Sequence, residues 1–148
     1  MRLDTRNFGE LDIDESKIIE FKSGIPGYPQ LRQFILLSDK NSDSPEDDQD
    51  GLLYWLQSVE DKDLAFVMVD MVRYNPSYDP RVSEDEIAEL GNYDPETFCF
   101  YNIAVLPENM NDMTVNLKAP VVINSQSMLG KQVICENEEY TVRHYMFK

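Results

Sequence analysis

Residues Met113–Ile134 read MTVNLKAPVVINSQSMLGKQVI, and the fold turns on how this stretch is interpreted. Its first half is apolar and β-branched, which favours a strand. Asn116, Lys118 and Asn124 interrupt it. A strand covered on both faces does not carry an ammonium group, because burying an unpaired charge is too costly. Pro120 cannot donate to a ladder, so it marks an edge, a bulge or a bend. On an unbroken strand residues two apart point the same way, which sets Asn116 and Lys118 on one face and Val115 and Leu117 on the other. Two readings follow. Lys118 snorkels from an edge strand and blocks edge-to-edge pairing, or Asn116 and Lys118 form a mixed polar and apolar surface suited to a partner. On the second reading both residues matter for binding more than for stability. Asn124 belongs to the same surface or opens the turn NSQS.

Outward from this stretch, the chain reads as strands and tight turns. FGELDIDESKIIEF alternates apolar and polar at first, with a bulge near Gly9. KSGIPGYPQL is an ordered Gly/Pro turn, followed by the strand RQFILLS. LLYWLQSVEDKDLAFVMVD reads as a hairpin with a polar tip. Its second run, Leu64 to Val69, is continuously apolar and should be covered on both faces. Trp55 and Phe66 are the expected aromatic anchors. TFCFYNIAVL, KQVICEN and YTVRHYMF complete about nine short strands. The clearest helix is VSEDEIAELG. Ser83 caps it, Glu86 completes a capping box, Val82 and Ile87 make a hydrophobic staple, and Gly91 stops it. Glu84, Asp85 and Glu86 lie where the helix dipole favours acids. The expected fold is mostly β: one antiparallel β-barrel-like domain over residues 1–148, with one short helix.

With 28 acidic against 13 basic residues, the formal charge is −15. Such a chain is repelled by nucleic acid and by anionic membrane surfaces, while a basic protein is its natural complement. DKNSDSPEDDQDG, from Asp39, has no apolar side chain to bury and reads as an exposed loop, or as an acidic finger for a basic partner. No apolar run is long enough to span a bilayer, and the N-terminus has no apolar signal core. Cys99 and Cys135 form no CxxC pair and read as buried free thiols.

Catalytic signals are missing from the sequence. There is no serine elbow, no glycine-rich phosphate loop and no calcium loop with the right spacing. His144 is the only histidine. A dyad with Cys99 or Cys135 would need an exposed, low-pKa thiol, whereas both cysteines sit in apolar strands. No catalytic residue, cofactor or metal ligand is assigned.

FGELDIDESKIIEFKSGIPGY, LLYWLQSVEDKDLAFVMVD, MTVNLKAPVVIN and GKQVICENEEYTVRH, in that order, resemble FliW, the bacterial flagellar assembly factor family. The similarity runs from about Thr5 to His144, and MTVNLKAPVVIN followed by GKQV and NEEY is its most specific part. The acidic DKNSDSPEDDQDG departs from the family pattern in length and charge. The resemblance implies a cytoplasmic, non-enzymatic, β-barrel-like binding protein. It also implies two partners: CsrA, a small basic RNA-binding regulator, and flagellin. Free FliW takes CsrA from flagellin mRNA and translation proceeds; accumulated flagellin occupies FliW, CsrA is released, and translation stops. The expected protein is a monomer without direct contact to nucleic acid or membrane. Its candidate partner-binding residues are Asn116, Lys118, Asn124, Gln57, Glu84 and Asp85. A small hydrolase or transferase with an unrecognised site, and a structural subunit of the export apparatus, are the alternatives.

Overall fold

The computed structural model describes residues 1–38 and 53–147; the acidic segment that begins at Asp39 lies outside them. Strands β3 (Ile19–Glu20), β4 (Gln33–Ser38), β5 (Leu53–Ser58), β6 (Ala65–Val69) and β7 (Phe98–Val105) pair in sequence except that β3–β4–β5–β6–β7 is continued by β9 (Val121–Asn124) and β10 (Leu129–Gln132). β7 pairs with β9, β9 with β10, and β10 with β3, so the sheet closes on itself as a ring of strands. Closure leaves no exposed ladder around the ring. Every contact in the ring is antiparallel except β10 against β3.

Period-two alternation fills the barrel. Phe34, Leu56, Met68, Tyr101, Val121 and Ile123 point inward and pack with Ile19, Phe21 and Ile25. Gly130 lies where a Cβ would stand 2.6 Å from the Phe21 ring, so only glycine lets this ring fill the interior. The outward residues are covered by three separate layers. The hairpin of β1 (Arg2–Thr5) and β2 (Gly9–Asp12) covers Ile35, Leu37 and Trp55. Helix α2 (Glu84–Ala88) covers Phe98, Phe100, Val122 and Val133. The third layer contains β8 (Thr114–Val115), which pairs with the far end of β7, and β11 (His144–Tyr145), which pairs with β8. It buries Val69, Ala104, Val115 and Leu117 together with Tyr78.

The mostly β, barrel-like expectation therefore holds, with corrections. The run Leu64–Val69 is covered on both faces: Phe66 and Met68 face the barrel, Val67 and Val69 the third layer. Trp55 anchors the hairpin layer instead of the barrel, edge-on to Phe8 at 5.4 Å between centroids. A second short helix, α1 (Met71–Tyr74), accompanies α2, capped by Asp70 accepting from the Arg73 N–H. Four residues are too few to display helical periodicity, so only the cap could have signalled it. The strand TVNLKAPVVIN is two strands, β8 and β9, with a bend from residue 117 to 119 between them.

Candidate functional site

The bend explains Lys118. Asn116 does not alternate along a strand: its Oδ1 accepts from the Ala119 N–H at 2.9 Å and fixes the turn. A short amide side chain competing with the ladder for a backbone N–H is a recognised way of ending a strand. Lys118 Nζ donates to the Asn137 carbonyl at 2.7 Å. The N–H groups of Leu117 and Lys118 both donate to Thr141 O, at 3.0 and 3.2 Å, and the Lys118 carbonyl accepts from Cys135 N at 2.8 Å. The bend thus binds the C-terminal segment to the barrel wall.

A buried polar cluster lies behind it. Tyr78 OH donates to Leu117 O at 2.7 Å and accepts from Asn102 Nδ2 at 2.9 Å. Asn102 Nδ2 also donates to Asn116 O at 2.8 Å. Asn137 accepts from Arg81 N at 2.7 Å and donates to Asp79 O at 2.9 Å. Burial raises the pKa of Tyr78 far above the usual phenol range, because the phenolate would lose its hydration. Sequence reasoning missed Tyr78, Asn102 and Asn137. Asn102 carried the same signal as Asn116, an amide inside an apolar strand. Tyr78 carried another, a large aromatic in the turn segment NPSYDP.

Asn124 is 2% exposed and separate from Asn116: its Nδ2 donates to Leu90 O at 2.8 Å and its Oδ1 accepts from Gln126 N at 3.0 Å. It opens the NSQS turn and closes the C-terminus of α2. Gln57 is fully buried, with Nε2 shared between the carbonyls of Ser58, Lys62 and Leu64 at 3.0, 3.2 and 3.2 Å. It locks the β5–β6 hairpin tip. The carbonyls of Lys62 and Leu64 also accept from the Arg6 and Ser58 N–H groups, so the buried amide adds a second donor that ties the tip together.

Glu84 and Asp85 are different. Both are exposed in the first turn of α2. Ser83 Oγ accepts from Glu86 N at 3.3 Å, as the cap requires. The Glu86 carboxylate turns instead to Lys131 Nζ at 3.3 Å, which Glu89 also contacts. These two acids, Glu89 foremost, raise the Lys131 pKa. Gly91 ends the helix at φ 120°, a backbone region that strains other residues. Glu84 also lines a groove of about 570 Å³ together with Arg81, Val82, Ile87, Tyr93 and Phe100. That volume falls within the roughly 300–1,000 Å³ typical of small-molecule pockets. The six candidate residues therefore divide. Asn116 and Lys118 are neighbours in the bend, whereas Asn124 and Gln57 serve separate turns. Glu84 lines an open groove, and Asp85 is exposed next to it in the first turn of α2.

Among the described residues, no group of three or more His, Cys, Asp or Glu is placed to hold a metal, and no helix is long and apolar enough to cross a membrane. Cys135 is buried and Cys99 half-buried, both as free thiols.

The FliW protein family model matches residues 2–146. The chain is 36% identical to the flagellar assembly factor FliW of Alkaliphilus metalliredigens, covering all of this chain and 87% of that protein. It is 38% identical to that of Ruminiclostridium cellulolyticum, covering 99% and 94%. A solved structure described as the crystal structure of the flagellar assembly factor FliW superposes with a TM-score of 0.87 at 31% identity, covering 100% of this chain and 98% of that one. With a matching family model, relatives aligned end to end and the same closed barrel, this chain belongs to the FliW family.

Proposed function

We propose that this chain is a cytoplasmic, non-enzymatic flagellar assembly factor that binds CsrA and, alternatively, flagellin, so that flagellin synthesis follows export. Free protein withdraws CsrA from flagellin mRNA; accumulated flagellin occupies the protein and returns CsrA to the message. The observation that carries this reading is an open, partly apolar groove lined by the exposed Glu84, on a chain of formal charge −15. Opposite fields accelerate encounter with a basic partner, and apolar contact then holds it. The same field disfavours direct contact with nucleic acid. The protein acts as a monomer with respect to both partners.

The test is a titration of the purified protein with CsrA and with flagellin, followed by addition of flagellin to the CsrA complex. Both partners bind, and flagellin lowers CsrA occupancy. Association with CsrA slows as salt rises to physiological strength, where exposed charges are screened beyond about 8 Å. Failure to bind either partner overturns the reading; salt-independent association removes its electrostatic part.

A further inference from the structure

The ring closes through β3, and beside that short strand its wall has a window. β4 runs six residues and β3 only two, so the pair is in register at Ile19 with Phe34 and Glu20 with Gln33 and no further. Backbone bonding alternates between the two sides of an antiparallel strand. Arg32 O accepts from Phe21 N at 2.7 Å, and Gln33 O accepts from Val59 N at 2.9 Å. The even residues of β4 therefore face β3 and the odd ones face β5. In that phase Leu36 would pair with residue 17. Lys17 instead ends a 3-10 turn, Glu15–Lys17, and its N–H donates to Asp14 O at 2.9 Å. The Leu36 N–H and carbonyl thus face the window without a partner among the described residues.

A cavity of about 370 Å³ lies at the window, and its apolar lining includes Ile19, Leu36, Cys99, Tyr101, Ile123 and Met128. Leu36, Cys99 and Met128 pack against the barrel core yet stay only half-buried, as the missing stretch of wall requires. The exposed Asp12, Asp14 and Lys17 line the cavity too. Asp12 is paired with the Met1 amine at 3.3 Å. Hydrogen bonds from Ser16, aided by the nearby Lys17, hold the Asp14 carboxyl below the usual range. Two carboxylates meet two cations, so charge favours neither sign of partner. The backbone selects instead. Residues opposite each other in an antiparallel ladder send their side chains to the same face. A residue paired with Leu36 would exchange both backbone bonds with it and send its side chain, like that of Leu36, into the barrel. An extended chain offers an N–H, a carbonyl and an apolar side chain in that arrangement.

We propose that this window is a docking site for an extended peptide segment that adds to β4 at Leu36, antiparallel as β3 is, and buries one aliphatic side chain in the cavity. The site shares no residue with the α2 groove and does not depend on the function proposed above.

The experiment titrates the full chain, isotopically labelled and followed by amide NMR, with capped peptides at millimolar concentration. The probe is acetylated and amidated Ser-Thr-Leu-Thr-Ser. Ser-Thr-Gly-Thr-Ser removes the side chain, and N-methylation of the leucine removes the N–H that Leu36 O would accept. The leucine peptide should shift the amide signals of Leu36, Cys99 and Met128 saturably. Both altered peptides should bind at least about tenfold more weakly, one for lack of aliphatic burial and the other for lack of the backbone bond. The affinity should change by no more than about twofold as salt is raised, since charge does not hold the peptide. Cys99→Met fills part of the cavity, and the leucine peptide should bind this variant at least about tenfold more weakly. The same spectra report whether the variant is folded; if it is not, the three peptides on the unaltered chain decide. No saturable shift at Leu36, equal binding of the three peptides, or undiminished binding to folded Cys99→Met would each overturn the proposal. An affinity that falls steeply with salt would overturn it as well, because the contact would then be electrostatic.

Discussion

The bend that follows β8 and the rim of the α2 groove carry similar side chains, amides or charges set beside aliphatic residues, yet they spend them differently. In the bend each polar group is bonded within the chain: Asn116 to Ala119, Lys118 to Asn137, and Tyr78 to Leu117 and Asn102. At the rim Glu84 and Asp85 project into solvent while their neighbours Glu86 and Glu89 hold Lys131. A polar residue among apolar neighbours is thus ambiguous until its hydrogen-bond partners are known. Where a chain must turn between two buried strands, the backbone itself consumes the side chain. Where a helix has already been capped by Ser83, Glu84 and Asp85 complement its dipole and stay open to solvent.

Substitutions can break this contrast, and the largest effect belongs to the bend's apolar neighbour. Leu117 is 6% exposed in the third outer layer, so Leu117→Ala should cost about 2–5 kcal/mol in chemical denaturation. A loss below 1 kcal/mol would mean that the layer collapses readily around the gap. Asn116→Ala/Lys118→Ala comes next. On the unbroken-strand reading this pair should fold normally. The bonded bend predicts instead a loss of about 1–3 kcal/mol, because the Ala119 N–H loses its partner and the Asn137 carbonyl keeps only the long bond from Tyr140 N. At about 2–4 °C per kcal/mol for a chain of this size, a thermal melt resolves the difference.

Tyr78→Phe is smaller at neutral pH, about 1 kcal/mol for the bond to Leu117 O. Its pH dependence is more informative. The folded-state pKa of Tyr78 lies above that of an unfolded tyrosine, near 10, so the unfolded chain releases its proton first as pH rises. The contribution is fully present below about pH 10 and is lost as pH climbs beyond it. Alkaline melts should therefore fall less steeply in Tyr78→Phe than in the unaltered protein; parallel alkaline limbs would contradict the burial of this hydroxyl. The smallest effect is at the groove. Glu84→Gln/Asp85→Gln should change stability by no more than about 0.5 kcal/mol, since both side chains are exposed. A larger loss would show that these acids serve the helix and not a partner.

Much of the fold was legible in the sequence because alternation is a local signal. RQFILLS, LLYWLQS, LAFVMV and TFCFYNIAVL became β4, β5, β6 and β7, and Ser83 capped α2 as its pattern required. The closure of the ring was not legible. β10 meets β3 in parallel through a pair remote in sequence, Leu129 opposite Glu20, and no local pattern specifies such a pair. The bend was half legible: Pro120 announced a break, but not that Asn116 would hold it by a bond to Ala119. Gln57 resembled a surface residue of a hairpin because its partners are backbone carbonyls, which one-letter code does not display. The sequence placed Glu84 and Asp85 in the first turn of α2; the groove that Glu84 lines also needs Phe100, on β7, and Tyr93, which only the tertiary structure sets next to α2.

Amide hydrogen exchange of the protein with and without CsrA tests the contrast most directly, since it reads both regions in one measurement. Exchange in the bend, residues 116–119, should already be slow in the free protein and unchanged by CsrA, while residues 81–93 should gain protection on binding. Added protection at 116–119 with none at 81–93 would contradict the account, returning the interface to the bend and leaving the α2 groove without a partner.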